Sequence, residues 1–121
     1  MISLTGGAVQ NANGVGVPNG SVSFSLNVDA TVIAAPNGFV SSEVPIVFQF
    51  DSNGNLEPGA KIWSNEELNP QTADGLGTYY IVTFYDKNNA RISEPQWWLL
   101  NQSAGDTLDI GTMTAYFVKA N

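Results

Sequence analysis

The acidic side chains are where conventional chemistry could begin in this sequence. Glu66 and Glu67 are adjacent, and Asp106 and Asp109 stand three apart. Paired carboxylates of this kind serve glycoside hydrolysis, one as acid and one as base or nucleophile. Neither pair sits in a catalytic context, and exposed loop acids are the far commoner explanation. The run Asp51-Ser-Asn53-Gly54-Asn55 offers several oxygens, as a calcium loop does. Its spacing departs from such a loop. The glycine is fourth where the sixth place needs one, and Ile62 occupies the twelfth, where a bidentate glutamate belongs. A hairpin turn in which Asp51 caps its own backbone uses the same residues.

Composition removes most other chemistry. The 121 residues include no histidine and no cysteine. A Ser-His-Asp triad, a Cys-His pair and a zinc site built on His or Cys are therefore excluded, and so is a disulfide. No catalytic residue, metal ligand or cofactor site is assigned, and the expectation is a protein that is not an enzyme. Eleven acidic residues against four basic ones give a formal charge of -7. Lys61, Lys87, Arg91 and Lys119 cannot assemble a basic patch, so no nucleic-acid partner is expected.

Tryptophan is the more informative residue type. Trp97 and Trp98 are neighbours in an apolar stretch, and on a strand neighbouring side chains face opposite ways. One can fill a core. The other lies outside, either under a loop of the same chain or open to a protein contact or a stacked sugar ring. Trp63 stands apart from them, and Tyr116 and Phe117 lie near the end. These five aromatics (Trp63, Trp97, Trp98, Tyr116, Phe117) are the candidate interaction residues.

The elements that must position them read as strands. In Ser21-Val-Ser-Phe-Ser-Leu26, Val22, Phe24 and Leu26 alternate with serines, the pattern of a half-buried strand. Val44 to Phe50 sets Ile46, Phe48 and Phe50 against Val47 and Gln49. Gly77 to Asp86 is the richest in β-branched and aromatic residues, with both faces partly covered. Arg91 to Leu100 and Thr114 to Val118 are further strands, with shorter ones at Ile2 to Val9, Thr31 to Ala34 and Ala60 to Trp63. Turns are expected at Asn13-Gly14, Asn19-Gly20, Asn37-Gly38, Asn53-Gly54 and Asn88-Asn89, because Asn and Gly tolerate positive φ. A single helical turn is expected at Ser64 to Leu68, capped by Ser or Asn and ended by Pro70. Seven or eight short strands at this spacing predict one domain, residues 1–121, an all-β antiparallel sandwich of Greek-key type.

Two further features concern surroundings. Residues 1–13 contain no basic residue and no long apolar run, so no signal peptide is read there and synthesis in the cytoplasm is expected. No stretch has the length of a membrane span. The strands carry almost no charge, whereas monomers commonly protect sheet edges with charges or prolines such as Pro45 and Pro95. An uncharged face of Ser, Thr, Gln and aromatics suits contact with another subunit.

Short motifs carry a family resemblance. Asn11 to Leu26, with Gly16-Val-Pro-Asn-Gly20 leading into Val22-Ser-Phe24, resembles the opening of transthyretin-like or carboxypeptidase-regulatory-like β-sandwich modules. Phe50-Asp-Ser-Asn-Gly-Asn-Leu56 and Gly77 to Asp86 are similar to the later turn and the Gly-x-Tyr strand of those modules. Lys61-Ile-Trp-Ser-Asn-Glu-Glu-Leu-Asn-Pro70, followed by Thr78 to Asn89, resembles Ig-like domains in structural proteins of tailed bacteriophages. Together the resemblance covers residues 2 to 110. It implies an Ig-like or transthyretin-like sandwich and a non-catalytic virion subunit, either a head-decoration or a tail- or fibre-associated protein. Its partners would be other virion proteins of capsid or tail, with self-association also open, and its location the virion. Related adhesin modules crosslink a strand lysine to an asparagine; here no lysine precedes Lys61, which argues against that bond. The alternative function is a carbohydrate- or receptor-binding module that stacks a host-surface glycan on an exposed tryptophan.

Overall fold

The computed structural model describes residues 1–7, 10, 18–70, 77–101 and 106–118, with the main chain alone at 36, 37 and 113–115. Among the described residues, ten strands occur in order: β1 (Ile2–Thr5), β2 (Ser21–Leu26), β3 (Ala30–Val32), β4 (Ala35–Val40), β5 (Ile46–Gln49), β6 (Lys61–Ile62), β7 (Leu68–Asn69), β8 (Tyr80–Tyr85), β9 (Gln96–Trp98) and β10 (Thr107–Asp109). The protein is all-β, and its packing is compatible with a sandwich. Ten strands stand where seven or eight were expected, because β6 and β7 pair over only two residues each.

These strands form three small sheets, ordered β10-β1-β6, β5-β2-β8-β9 and β4-β3-β7. Pairing is antiparallel except between β1 and β10, which run parallel. The four-stranded sheet is the backbone of the fold. Its register sets Phe24 opposite Ile46 on one side and Val82 on the other, and Tyr80 opposite Trp98. The alternating residues of β2 and β8 therefore deliver Val22, Phe24, Leu26, Tyr80, Val82 and Phe84 to one buried face.

Aromatic rings fill that face. Phe24 meets Phe48, Tyr80 and Trp98 edge-on, with centroids 5.8, 5.9 and 5.6 Å apart. Trp98 also lies 6.1 Å from Phe84 and 5.9 Å from Tyr116. Edge-to-face rings at such spacings gain quadrupole attraction in addition to the area they bury. Ile2, Leu4, Ile62, Leu68 and Leu108 from the other sheets, and Ile110 just past β10, join them in the core.

Turn chemistry holds at most of the expected places. Asn19 and Asn89 have φ of 58° and 62°, and Gly54 has 83°. Asp51 accepts the N–H groups of Asn53 and Asn55 at 2.8 and 3.1 Å, and Asp86 treats Asn88 and Ala90 in the same way at 2.8 and 3.0 Å. The turn expected at Asn13-Gly14 lies outside the described residues, as do Ala8 and Val9 of the first expected strand.

Three expectations need correction. Asn37-Gly38 is part of β4, and the reversal falls at Ile33 and Ala34 instead. Gly38 is needed for contact rather than for positive φ: a Cβ there would stand 3.0 Å from the Ala35 oxygen and 3.4 Å from Val32. Thr114 to Val118 is not a strand. Residues Ile110–Tyr116 wind in tight 3₁₀ turns, which Asp109 organises by accepting from the Gly111 N–H at 2.7 Å and, on its carbonyl, from the Thr112 and Tyr116 hydroxyls. Arg91 to Leu100 yields only β9, because Pro95 interrupts it and the Ser93 hydroxyl accepts the Phe84 N–H at 3.3 Å. The helical turn is present as a 3₁₀ turn at Asn65–Glu67.

Truncation at the centre of the aromatic cluster measures its weight. Phe24→Ala is expected to destabilise the fold by about 3–5 kcal/mol, read as a shifted denaturation midpoint with an unchanged slope.

Candidate functional site

Strand alternation puts the two adjacent tryptophans on opposite faces. Trp98 is fully buried at 0% exposure, and its indole N–H donates to the Gln96 side chain at 3.0 Å. Trp97 is 52% exposed. Across the outer face of the four-stranded sheet the register gives three rows: Gln49, Ser21 and Tyr85; then Val47, Ser23 and Thr83; then Ser25, Ile81 and Trp97. None of these nine residues is charged. Charges stand at the two ends of the first row, where Arg91 bridges Tyr85 and Glu57 donates to the Gln49 carbonyl, so the rows nearer Trp97 can meet another surface without stranding an ion.

The edges of this sheet are less available than its face. Gly20 accepts the Phe50 N–H at 2.9 Å, which fixes the alternation and turns the main-chain groups of Val47 and Gln49 outward. Glu57 then donates to the Gln49 carbonyl at 3.0 Å, and Pro45 precedes the strand with no N–H to offer. At the opposite edge, Val118 donates to the Trp97 carbonyl at 2.8 Å and Leu99 to that of Tyr116 at 2.6 Å. Tyr116 is buried against Trp98, so it and Trp98 are core residues, while Phe117, which bridges Trp98 at the edge of the sheet, is exposed.

A second feature lies at the end of the molecule that carries the β4–β5 turn. An apolar cleft of about 420 Å³ opens between the inner face of the four-stranded sheet and the segments at β4 and β6. Phe24, Leu26, Tyr80 and Ile62 form its floor, Trp63 a half-buried wall, and Phe39, Val44 and Ile46 its exposed rim. The five candidate aromatics are thus not brought together: Trp98 and Tyr116 are core, Trp97 lies on the outer face, Phe117 is exposed at the sheet edge, and Trp63 faces the cleft. Phe39, Val44 and Ile46 were missed as candidates. Phe39 lies in the segment read as a turn, and alternation assigned Ile46 to a core that does not reach it.

Polar groups around the cleft are tied up in structural bonds. The Tyr80 hydroxyl donates to the Trp63 carbonyl at 2.6 Å, and burial, then the charge of Glu67, push its pKa well up. Asp29 accepts both the N–H and the hydroxyl of Ser42, at 2.8 and 2.9 Å, which lowers its pKa. Partial burial works against ionisation of Glu67. The Met1 ammonium at 2.8 Å and the Ser64 N–H at 2.8 Å outweigh it, and the pKa is lowered. Asn65 is a buried hub: its side chain accepts the Leu100 N–H at 2.8 Å and reaches Thr78 at 3.3 Å.

No family model, curated protein or solved structure matches this chain. Among the described residues, no three His, Cys, Asp or Glu side chains cluster as a metal site would require, and no helix is long and apolar enough to cross a membrane. Asp51 is engaged with its own turn, and Asp109 with the backbone after β10.

Two measurements check this geometry. With the folded pKa of Glu67 below its ordinary value near 4.5, its stabilisation is present above that pH and lost as pH falls through the lowered value. Glu67→Gln should cost about 1–2 kcal/mol at neutral pH and flatten the acid limb of a stability–pH curve. In acrylamide quenching, Trp97→Phe should remove most of the readily quenched fluorescence, leaving the shielded signal of Trp98 and Trp63.

Proposed function

We propose that the protein is a non-catalytic structural subunit that docks on other proteins through the outer face of its four-stranded sheet. The observation that carries this reading is the half-exposed Trp97 in an uncharged row with Ile81 and Ser25, on a face whose charged residues, Arg91 and Glu57, stand at its other end. A large rigid aromatic surrounded by small polar residues is what interface hot spots are made of. The resemblance of residues 61–70 and 78–89 to Ig-like phage modules supplies the setting: a tailed-bacteriophage virion, with capsid or tail proteins as partners and the head surface or the tail as location. An acidic chain of net charge -7 keeps free subunits soluble before assembly.

The same tryptophan also supports a second reading, a glycan-binding module. The exposed indole lies in one row with Ile81 and Ser25, giving a stacking plane with a hydroxyl nearby.

Binding to isolated capsid and tail proteins separates the two. Trp97→Ala should weaken docking about tenfold or more while the melting temperature stays unchanged within error. A protein that remains monomeric, ignores capsid and tail proteins and is absent from virions would overturn the virion reading. Binding on a glycan array that disappears in Trp97→Ala would replace it with the second.

A further inference from the structure

The apolar cleft is a second feature of the surface, lined by residues other than those of the outer face. Its few polar side chains are already bonded within the fold: the Tyr80 hydroxyl donates to the Trp63 carbonyl, and the Ser41 hydroxyl accepts the Glu43 N–H at 3.1 Å. What remains is a concave apolar surface whose rim stays exposed, Phe39 at 67% and Val44 at 71%. An occupant must therefore bring an uncharged apolar group into the cleft.

Charge at the mouth narrows the occupant further. Ser41 and Val44 both line the cleft, and Glu43 sits between them in the same tight turn. Its carboxylate is exposed and forms no ion pair among the described residues. Asp29, which holds Ser42 in that turn, adds a second negative charge with its pKa lowered. The Met1 ammonium beside the cleft is already matched by Glu67. Lys87 and Arg91 follow β8 at the Gln49 end of the sheet, opposite the Ile46 end that carries this turn, and Lys61 alternates away from its cleft-lining neighbour Ile62 on β6.

We propose that the cleft takes an apolar side chain of a partner polypeptide that carries a lysine or arginine next to it. The anchor would lie against Trp63, Phe39 and Ile46, and the cation would face Glu43. This rests on the docking reading above and names the chemistry of the partner at a second surface.

The test is a titration of isotopically labelled protein, followed by amide NMR shifts, with two short model peptides. One is acetyl-Gly-Lys-Phe-Lys-Gly-amide; the other replaces both lysines with glutamate. The lysine peptide should shift amides of residues 39–46 and 62–63, binding about two- to fivefold more tightly than the glutamate peptide. Glu43→Lys, on an exposed turn, should reverse that preference, and Trp97→Ala should leave it intact. Equal binding of the two peptides, no cleft shifts at millimolar peptide, or a preference unmoved by Glu43→Lys would each overturn the proposal. Capture of virion proteins through Trp97 by a protein that ignores both peptides would reject the cleft site and leave the docking reading standing. Cleft binding by a protein that captures no virion protein would do the reverse.

Discussion

Phe24 and Trp98 meet edge-on at 5.6 Å in the middle of the four-stranded sheet, and most of the molecule follows from that contact. Phe24 reaches Phe48 and Tyr80, and Trp98 reaches Phe84 and Tyr116, so one ring pair joins four strands and the 3₁₀ segment. Without disulfides, the cluster has to be dense enough to hold the sheets together by burial alone. Because strand side chains alternate, fixing Trp98 inside also fixes Trp97 outside. The exposed indole follows directly from how the core is built.

That linkage explains what could be read from the sequence. The alternation in Ser21 to Leu26 and the aromatic density of Tyr80 to Tyr85 are local signals, and both form strands, the first with its apolar residues inward and the second with both faces partly covered. Turns in which Asp, Asn or Gly supplies a local hydrogen bond or positive φ were legible too, since their chemistry is contained within a few residues. Asp51 and Asp86 show the same motif twice.

Long-range choices were not legible. Asn37-Gly38 has the chemistry of a turn, yet neighbouring Ala35 and Val32 require a residue without Cβ inside a strand. The 3₁₀ turns from Ile110 depend on Asp109, whose carboxylate lies where a side chain on Gly6 would collide with it. The strand β10 exists by pairing in parallel with β1, a partner a hundred residues away that no local pattern announces. The cleft is similar. Its rim draws on β4, the β4–β5 turn and β5, and only tertiary packing leaves Phe39, Val44 and Ile46 uncovered together.

The low proportion of charged residues, 12%, takes on meaning once the sheet edges are located. A chain with so little charge on its strands has few means of repelling another strand at an open edge. Here main-chain devices serve that end. Pro45 and the Glu57 N–H close off the β5 edge around Val47, and the Tyr116 to Val118 segment occupies the β9 edge. Strand addition to this sheet would have a single residue, Val47, to pair with, too short a ladder for stable association. Recognition is thereby moved from the backbone, which any strand can match, to side chains, which few surfaces can. An uncharged face around Trp97 and an apolar cleft with an acidic mouth differ in the chemistry they select. On the reading proposed above, two such surfaces on one small sheet scaffold would let the protein bridge two unlike neighbours without opening its fold.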